Sequence, residues 1–373
     1  MRPAHIYIHI PFCARRCSYC DFAIAVRRVV PVDEYLEFLG REFDLRFGGG
    51  GAWPVQTIYL GGGTPSRLGP EGIARLMSAL RARVVLEAGS EVTIEVNPDD
   101  VTLDAAHAWR ESGINRVSLG AQSFDDTALT WMHRVHTASS IGGAYEILVQ
   151  AGFEDISLDL IFALPANLNR DWRNDLARAI ELGPTHVSLY GLTVEPHAPL
   201  GRWIARGEAV EAPEEHYESE FLVADELLSA AGFEHYEVSN FSKPMRRARH
   251  NFSYWRGVSY AGLGPGAHEF APPVRRWNVG AYAEWGRRLT AGDDPIAGSE
   301  SLTDDNRADE AVYLGLRTVE GLVITDEEAR LVEPWINAGW ATLRSGRLLV
   351  LTAQGWLRLD SLAADLTVIR SRC

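Results

Sequence analysis

Over roughly its first half, the chain alternates short β-branched runs with longer amphipathic stretches, and this rhythm restricts the folds open to it. The strand candidates are His5–Ile10, Gln56–Leu60, Glu91–Val96, Arg116–Leu119, Ile156–Leu160 and His186–Tyr190. Between them, Pro70–Leu86, Leu103–Ser112, Ser139–Ala151 and Asp171–Leu182 read as helices. Strands alternating with helices predict an α/β fold with a parallel sheet and right-handed crossovers. Six such units predict a partial (β/α)6 barrel, not a complete eight-unit one. Polar residues cluster just after the strands, where the mouth of a barrel carries its chemistry.

The second half is less regular. A helix is expected over Glu214–Ala231 and a strand over Glu234–Asn240, followed by basic Arg246–Arg249, aromatic His250–Trp255 and a loop at Gly262–Gly266. The acidic, turn-prone stretch Gly292–Asp305 is the expected boundary. Beyond it, helical Ala308–Thr318 and the strand Arg347–Leu351 running into helix Thr352–Leu362 predict a small α/β terminal domain, winged-helix-like. The expected division is therefore a barrel at 1–213, an extension of it at 214–291 and the C-terminal domain at 292–373. The glycine run Gly48–Gly51 reads as a flexible loop and not as a phosphate cradle.

Charge and composition exclude several classes. A net charge of −14 provides no broad basic face, so no nucleic-acid partner is expected. No apolar run approaches the ~20 residues that cross a bilayer, so no membrane-spanning segment is expected. Met1 to Phe12 lacks the regions of a signal peptide, which points to the cytoplasm. Lys243 is the only lysine, so Schiff-base chemistry would have to use it.

Three of the four cysteines, Cys13, Cys17 and Cys20, fall within eight residues; the fourth is Cys373. Clustering of this kind does not suit a disulfide framework. The spacing C-x3-C-x2-C puts three thiolates on one short loop, enough for three irons of a [4Fe–4S] cubane. The fourth iron stays open, and an open iron can chelate the amino and carboxylate groups of S-adenosylmethionine (SAM). An electron from such a cluster breaks the sulfonium bond and releases a 5′-deoxyadenosyl radical. Three inert buried cysteines, or a structural zinc, are the alternatives to the cubane; zinc is the more specific of the two. It usually takes paired Cys/His elements and four ligands, and His5 or His9 could supply the fourth.

The run Tyr7-Ile8-His9-Ile10-Pro11-Phe12-Cys13, the three cysteines and Tyr59-Leu60-Gly61-Gly62-Gly63-Thr64-Pro65-Ser66 together resemble the radical-SAM family of oxygen-independent coproporphyrinogen oxidases and their haem-chaperone relatives. The resemblance covers nearly the whole chain. It implies that Gly62, Gly63 and Thr64 meet the SAM amino group and that Glu95, Gln122, Arg134 and Asp159 are further SAM contacts. It also implies that Tyr7 and Tyr19 flank the cluster and adenine. Asp21 and Asn97 would stand behind them.

His250-Asn251-Phe252-Ser253-Tyr254-Trp255 resembles the HNxxYW signature of the haem-chaperone branch. On that resemblance His250 is the expected axial ligand of haem, a role natural to histidine. Phe252, Tyr254 and Trp255 would pack on the macrocycle, and Arg246, Arg247 or Arg249 would pair with propionates. A second axial ligand is open among His235, His268 and Tyr254. Without the resemblance, the same run reads as a packed aromatic strand beside a basic turn.

The oxidase branch carries a further cysteine two positions after the third ligand, where this chain has Phe22. It also has a longer N-terminal segment, whereas this chain reaches its first strand at His5. The expected function is therefore a haem chaperone that binds a [4Fe–4S] cluster, SAM and haem. Its expected partners are an electron donor and a haem-accepting protein, membrane-bound acceptors included. Porphyrinogen oxidation, or another radical-SAM reaction such as methyl transfer, is the alternative.

Overall fold

The computed structural model describes residues 2–48 and 51–370. Cys373 and two glycines of the Gly48–Gly51 run lie outside the described residues.

Six strands pair in chain order and all run parallel: β1 (His5–Ile10), β2 (Trp53–Gly62), β3 (Val84–Val96), β4 (Arg116–Gln122), β5 (Asp155–Phe162) and β6 (His186–Gly191). Helices Val32–Phe47, Gly69–Arg81, Leu103–Glu111, Ala138–Gln150 and Trp172–Leu182 make the crossovers. Their ends follow local chemistry. The Thr102 side chain accepts from the Ala105 N–H to start one helix, and Asp171 accepts from Asn174 to start another. The latter stops at Gly183, which adopts φ 75°, a left-handed conformation cheap for glycine.

The strands do not have the two apolar faces usual in a parallel sheet. Ile6, Ile8, Ile58, Leu60, Val92, Ile94, Val117, Leu119, Ile156, Leu158, Val187 and Leu189 alternate to one side and are buried in the core with the helices. The intervening positions are polar, and the pairing brings them together: Tyr7 with Tyr59, Tyr59 with Thr93, Glu95 with Ser118, Ser118 with Ser157, Ser157 with His186. Burying such groups without partners is costly, and cross-strand bonds meet that cost. Arg116 pairs with Asp155 at 2.8 Å, and both Asp159 oxygens accept from Ser118 at 2.9 Å. The Ser157 hydroxyl meets His186 Nδ1 at 2.8 Å.

Three short strands extend the sheet: β7 (Glu234–Glu237), β8 (Asn240–Ser242) and β9 (Ala261–Leu263). β9 lies parallel to β1, while β8 and β7 add antiparallel beyond β6. The sheet ends at β9 and β7 without closing. The partial barrel expected from six units is what forms.

Several expectations shift. The helix expected over Pro70–Leu86 stops at Arg81, because Val84 already pairs with Trp53. The loop expected over Gly262–Gly266 forms only from Gly264, since Ala261–Leu263 is strand; the backbone of His268 approaches Gly262 so closely that a Cβ would have no room. His250–Trp255 belongs to a helix, Arg249–Trp255, not to an aromatic strand. Ile296–Ser301 pairs with Val274–Asn278, so the expected boundary at 291/292 falls between two strands of one sheet. The last sheet combines Leu322–Val323, Leu348–Leu351 and Ala341–Arg344, accompanied by helices Asp304–Leu316 and Leu359–Arg370. Among the described residues, no helix is long and apolar enough to cross a membrane.

One buried acid joins distant segments. Glu42, on the first crossover helix, is fully buried and accepts from Gly264 N–H at 2.9 Å, Asn278 Nδ2 at 2.6 Å and Trp285 Nε1 at 2.9 Å. Arg46 pairs with it at 3.0 Å.

Candidate functional site

A cavity of about 360 Å3 opens at the C-terminal ends of the parallel strands. Pro11 turns the chain out of β1. Phe12–Cys13 and Ala25–Val26 then pair in parallel, so the intervening loop arches over the cavity. The Ala25 N–H donates to Pro11 O at 2.7 Å and the Arg27 N–H to Cys13 O at 3.0 Å, pinning the foot of the arch. Cys13, Cys17 and Cys20 all line the cavity.

Two of the thiols receive donors. The Thr64 hydroxyl donates to Cys13 Sγ at 3.6 Å, and the Arg134 guanidinium donates to Cys17 Sγ at 3.6 Å. Arg134 also donates to Asn97 Oδ1 at 2.5 Å, and Asn97 Nδ2 donates to Thr64 at 3.4 Å. One polar chain therefore links Cys17 to Cys13 through Arg134, Asn97 and Thr64. Donors aimed at sulfur suit anionic sulfur. Burial nonetheless pushes the Cys13 thiol up, and Cys20 up to about 11; coordinated iron would reverse this balance.

Gly63 lets its backbone pack directly against the cysteine loop. A Cβ there would stand 2.6 Å from Pro11 O and 3.0 Å from Cys13 Sγ. Among the described residues, no three His, Cys, Asp or Glu side chains converge to hold a metal ion. The thiols border a larger space. A cavity-lining thiol triplet with donors on two sulfurs and a backbone stripped at Gly63 fits an open cubane better than a lone zinc.

Below the thiols, Gly62, Gly63, Thr64, Glu95, Gln122, Arg134 and Asp159 line the same cavity, as does Tyr19 from the arch. They come from four different strands and three loops. The Gly62 N–H, at φ 117°, donates to Glu95 Oε2 at 3.0 Å, and the Tyr59 hydroxyl donates to Oε1 at 2.8 Å. Burial, with Asp159 repelling it, pushes the Glu95 carboxyl up to about 7 against these donors. Gln122 takes φ 66° at the end of β4. Asp21 and Asn97 line the cavity too.

Tyr7 and the residues expected to meet haem, His250 among them, lie outside this cavity's lining. Tyr7 is not in the cavity wall; it stacks on Tyr59 at 6.1 Å, deeper along the inner face of the sheet. His250 is 0% exposed and outside the cavity lining, beside His5 at the start of β1 and Thr57 midway along β2. Its Nδ1 meets Thr57 Oγ1 at 2.7 Å and its Nε2 meets the Tyr254 hydroxyl at 2.7 Å. Both ring nitrogens are engaged, so the imidazole presents no free lone pair to an iron in this arrangement. Ser118, His133, Tyr190, Thr193 and Glu195 also line the cavity and were not singled out from sequence. Ser118 and Tyr190 share the inner-face alternation of Glu95 and Asp159, which could have found them.

This fold, with three loop thiols over a polar strand-end cavity, defines a radical-SAM protein, and residues 7–180 match the Radical SAM superfamily. The chain belongs to the HemW family within it. It is 36% identical to the "Heme chaperone HemW" of Mycobacterium tuberculosis, across 98% of this chain and 95% of that one. It is 34% identical to the Bacillus subtilis protein of the same name, across 85% and 84%. Its fold matches the solved structure of coproporphyrinogen III oxidase HemN from Escherichia coli, with a TM-score of 0.81 at 22% identity over 97% of this chain and 89% of that one. Radical-SAM membership implies a [4Fe–4S] cluster and SAM.

Proposed function

We propose that the chain is a haem chaperone that holds a [4Fe–4S] cluster on Cys13, Cys17 and Cys20, binds SAM beneath it, and carries haem as cargo to an acceptor protein. The observation that carries this reading is near-full-length identity of 36% to a HemW protein, together with the thiol-lined cavity.

When bound, the cluster and SAM supply one-electron chemistry at the sulfonium. The chain's residues provide the setting. Gly62, Gly63 and Thr64 offer close backbone approach to the amino group of SAM, and Glu95 offers a carboxylate to accept its N–H. Arg134 lines the cavity beside Cys17, where its charge suits a carboxylate as well as a thiolate. Gln122 and Asp159 provide amide and carboxylate partners for the remaining polar edges, and Tyr19 covers the arch side.

Haem is a flat apolar macrocycle with two carboxylates. The cavity's outer wall includes Phe22, which is 61% exposed, with Ile24, Val135, Leu192 and the guanidinium of Arg15. Phe22 also stands where the oxidases that this chain resembles carry their additional cysteine. His250, the ligand expected from the motif, could reach iron only by breaking its bonds to Thr57 or Tyr254.

The deciding experiment is an anaerobic haem titration of the cluster-reconstituted chain, run beside an assay with coproporphyrinogen III, SAM and reductant. Stoichiometric haem binding with transfer to an apo-haemoprotein, and no protoporphyrinogen formed, is the expected result. Robust porphyrinogen conversion would overturn the chaperone reading.

A further inference from the structure

His250 has a place in the molecule that ligation does not explain. The helix carrying it starts against Glu91, whose carboxylate accepts the backbone N–H groups of Arg249 at 2.8 Å and His250 at 2.9 Å. Glu91 and Glu95 lie on the same inner face of β3, four residues apart. The ring of His250 stacks on Tyr59, with centroids 5.2 Å apart and planes 28° apart. Tyr59 is the residue whose hydroxyl donates to Glu95 at 2.8 Å.

The column continues upward. Tyr7 stacks on Tyr59 and its hydroxyl meets His9 Nδ1 at 3.0 Å. His9 Nε2 meets Ala23 O at 2.9 Å, three residues beyond Cys20. The helix thus plugs the lower end of the polar interior, and an aromatic column runs from the plug to the cavity.

We propose that His250 is a positioning residue for the SAM site, holding Tyr59 so that its hydroxyl fixes Glu95, and not an iron ligand. This rests on the reading of Glu95 as a SAM contact. A neutral imidazole suits the position because one nitrogen donates and the other accepts. It can bridge Thr57 and Tyr254 while offering an aromatic face to Tyr59. Phenylalanine keeps the face and loses the bridge; glutamine keeps the bridge and loses the face. The titratable groups facing Glu95 are Tyr7 from β1, Tyr59 from β2, Asp159 from β5, Tyr190 from β6 and Tyr254 from the plug helix.

The test is SAM binding by calorimetry on anaerobically reconstituted full-length protein between pH 6 and 8, with iron content and haem titration measured on the same samples. His250→Ala is expected to weaken SAM binding about fivefold and to move the pH at which affinity rises, with haem stoichiometry and the Soret band unchanged. Tyr59→Phe should reproduce the pH shift, and adding His250→Ala to it should cost little more, because both act through one contact. His250→Phe should recover most of the affinity, and it carries the comparison where His250→Ala does not fold. Wild-type SAM affinity and pH profile in both His250 variants would overturn the proposal. So would loss of the Soret band with SAM binding intact, which would restore the iron-ligand role. Failure of the wild-type chain, with its iron complete, to bind SAM would instead sink the reading of the site itself.

Discussion

Glu95 accepts the backbone N–H of Gly62 at 3.0 Å on one oxygen while Tyr59 occupies the other at 2.8 Å. The carboxyl is therefore aimed, at the strand end, toward the glycines that line the cavity. Its burial makes that aim sensitive to pH.

Glu95 is pushed up to about 7 from an ordinary value of 4.5, mainly by burial. Its contribution to the stability of the SAM-free fold is thus complete below 4.5 and is lost as pH rises through about 7. SAM needs the carboxylate form as acceptor, so SAM affinity should rise through the same window with proton release on binding. Calorimetry in buffers of different ionisation enthalpy measures this directly. Glu95→Gln should flatten the pH dependence and weaken SAM binding about tenfold; an unchanged profile would count against the assignment.

Anaerobic reconstitution should give about four irons per chain and an EPR signal that SAM perturbs. Cys17→Ala should lose that response. Arg134→Ala should leave the three thiols in place but lower iron retention and SAM affinity, since Arg134 contacts both Cys17 Sγ and Asn97.

Gly63→Ala should reduce cluster occupancy, because the new methyl meets Pro11 O and Cys13 Sγ at 2.6 and 3.0 Å. Gly143→Ala is its control. Gly143 lies within a helix with nothing within 4 Å of the added Cβ. That substitution should stabilise the fold by about 0.5–1 kcal/mol and leave iron content unchanged.

Glu42→Ala should destabilise the protein by about 3–5 kcal/mol in urea unfolding. It takes one of two carboxylate partners from buried Arg46, which keeps Glu269, and strips acceptors from Gly264, Asn278 and Trp285. Glu37→Ala, on an exposed face of the same helix, should cost under about 1 kcal/mol.

The six strands and the thiol loop were legible because each depends on local pattern: β-branched runs of strand length, and three cysteines within eight residues, which the fold brings to one cavity. Glu95 and Asp159 were legible as acids inside apolar strands. Glu42 was not, since an acid on an amphipathic helix reads as solvent-facing until Gly264 and Trp285 arrive from more than two hundred residues away. The same holds for His250, whose sequence neighbours suggest a metal ligand and whose spatial neighbours are Thr57 and Tyr59. The strand at Ala261–Leu263 escaped because three residues carry too little periodicity, and pairing with β1 supplies what pattern does not.

The strands of the partial barrel hold two messages on alternate letters: the even positions of β1, of β2 from Ile58 and of β3 from Val92 spell the oily seat for the helices, the odd ones the wet interior. Chemistry can consequently drift without loosening the seat, and the seat can be repacked without touching the chemistry. What neither can survive is a frame slip. Deleting one residue from the middle of β3 would exchange Ile94 for Glu95 on the two sides, and the pocket and the core would fail in a single stroke.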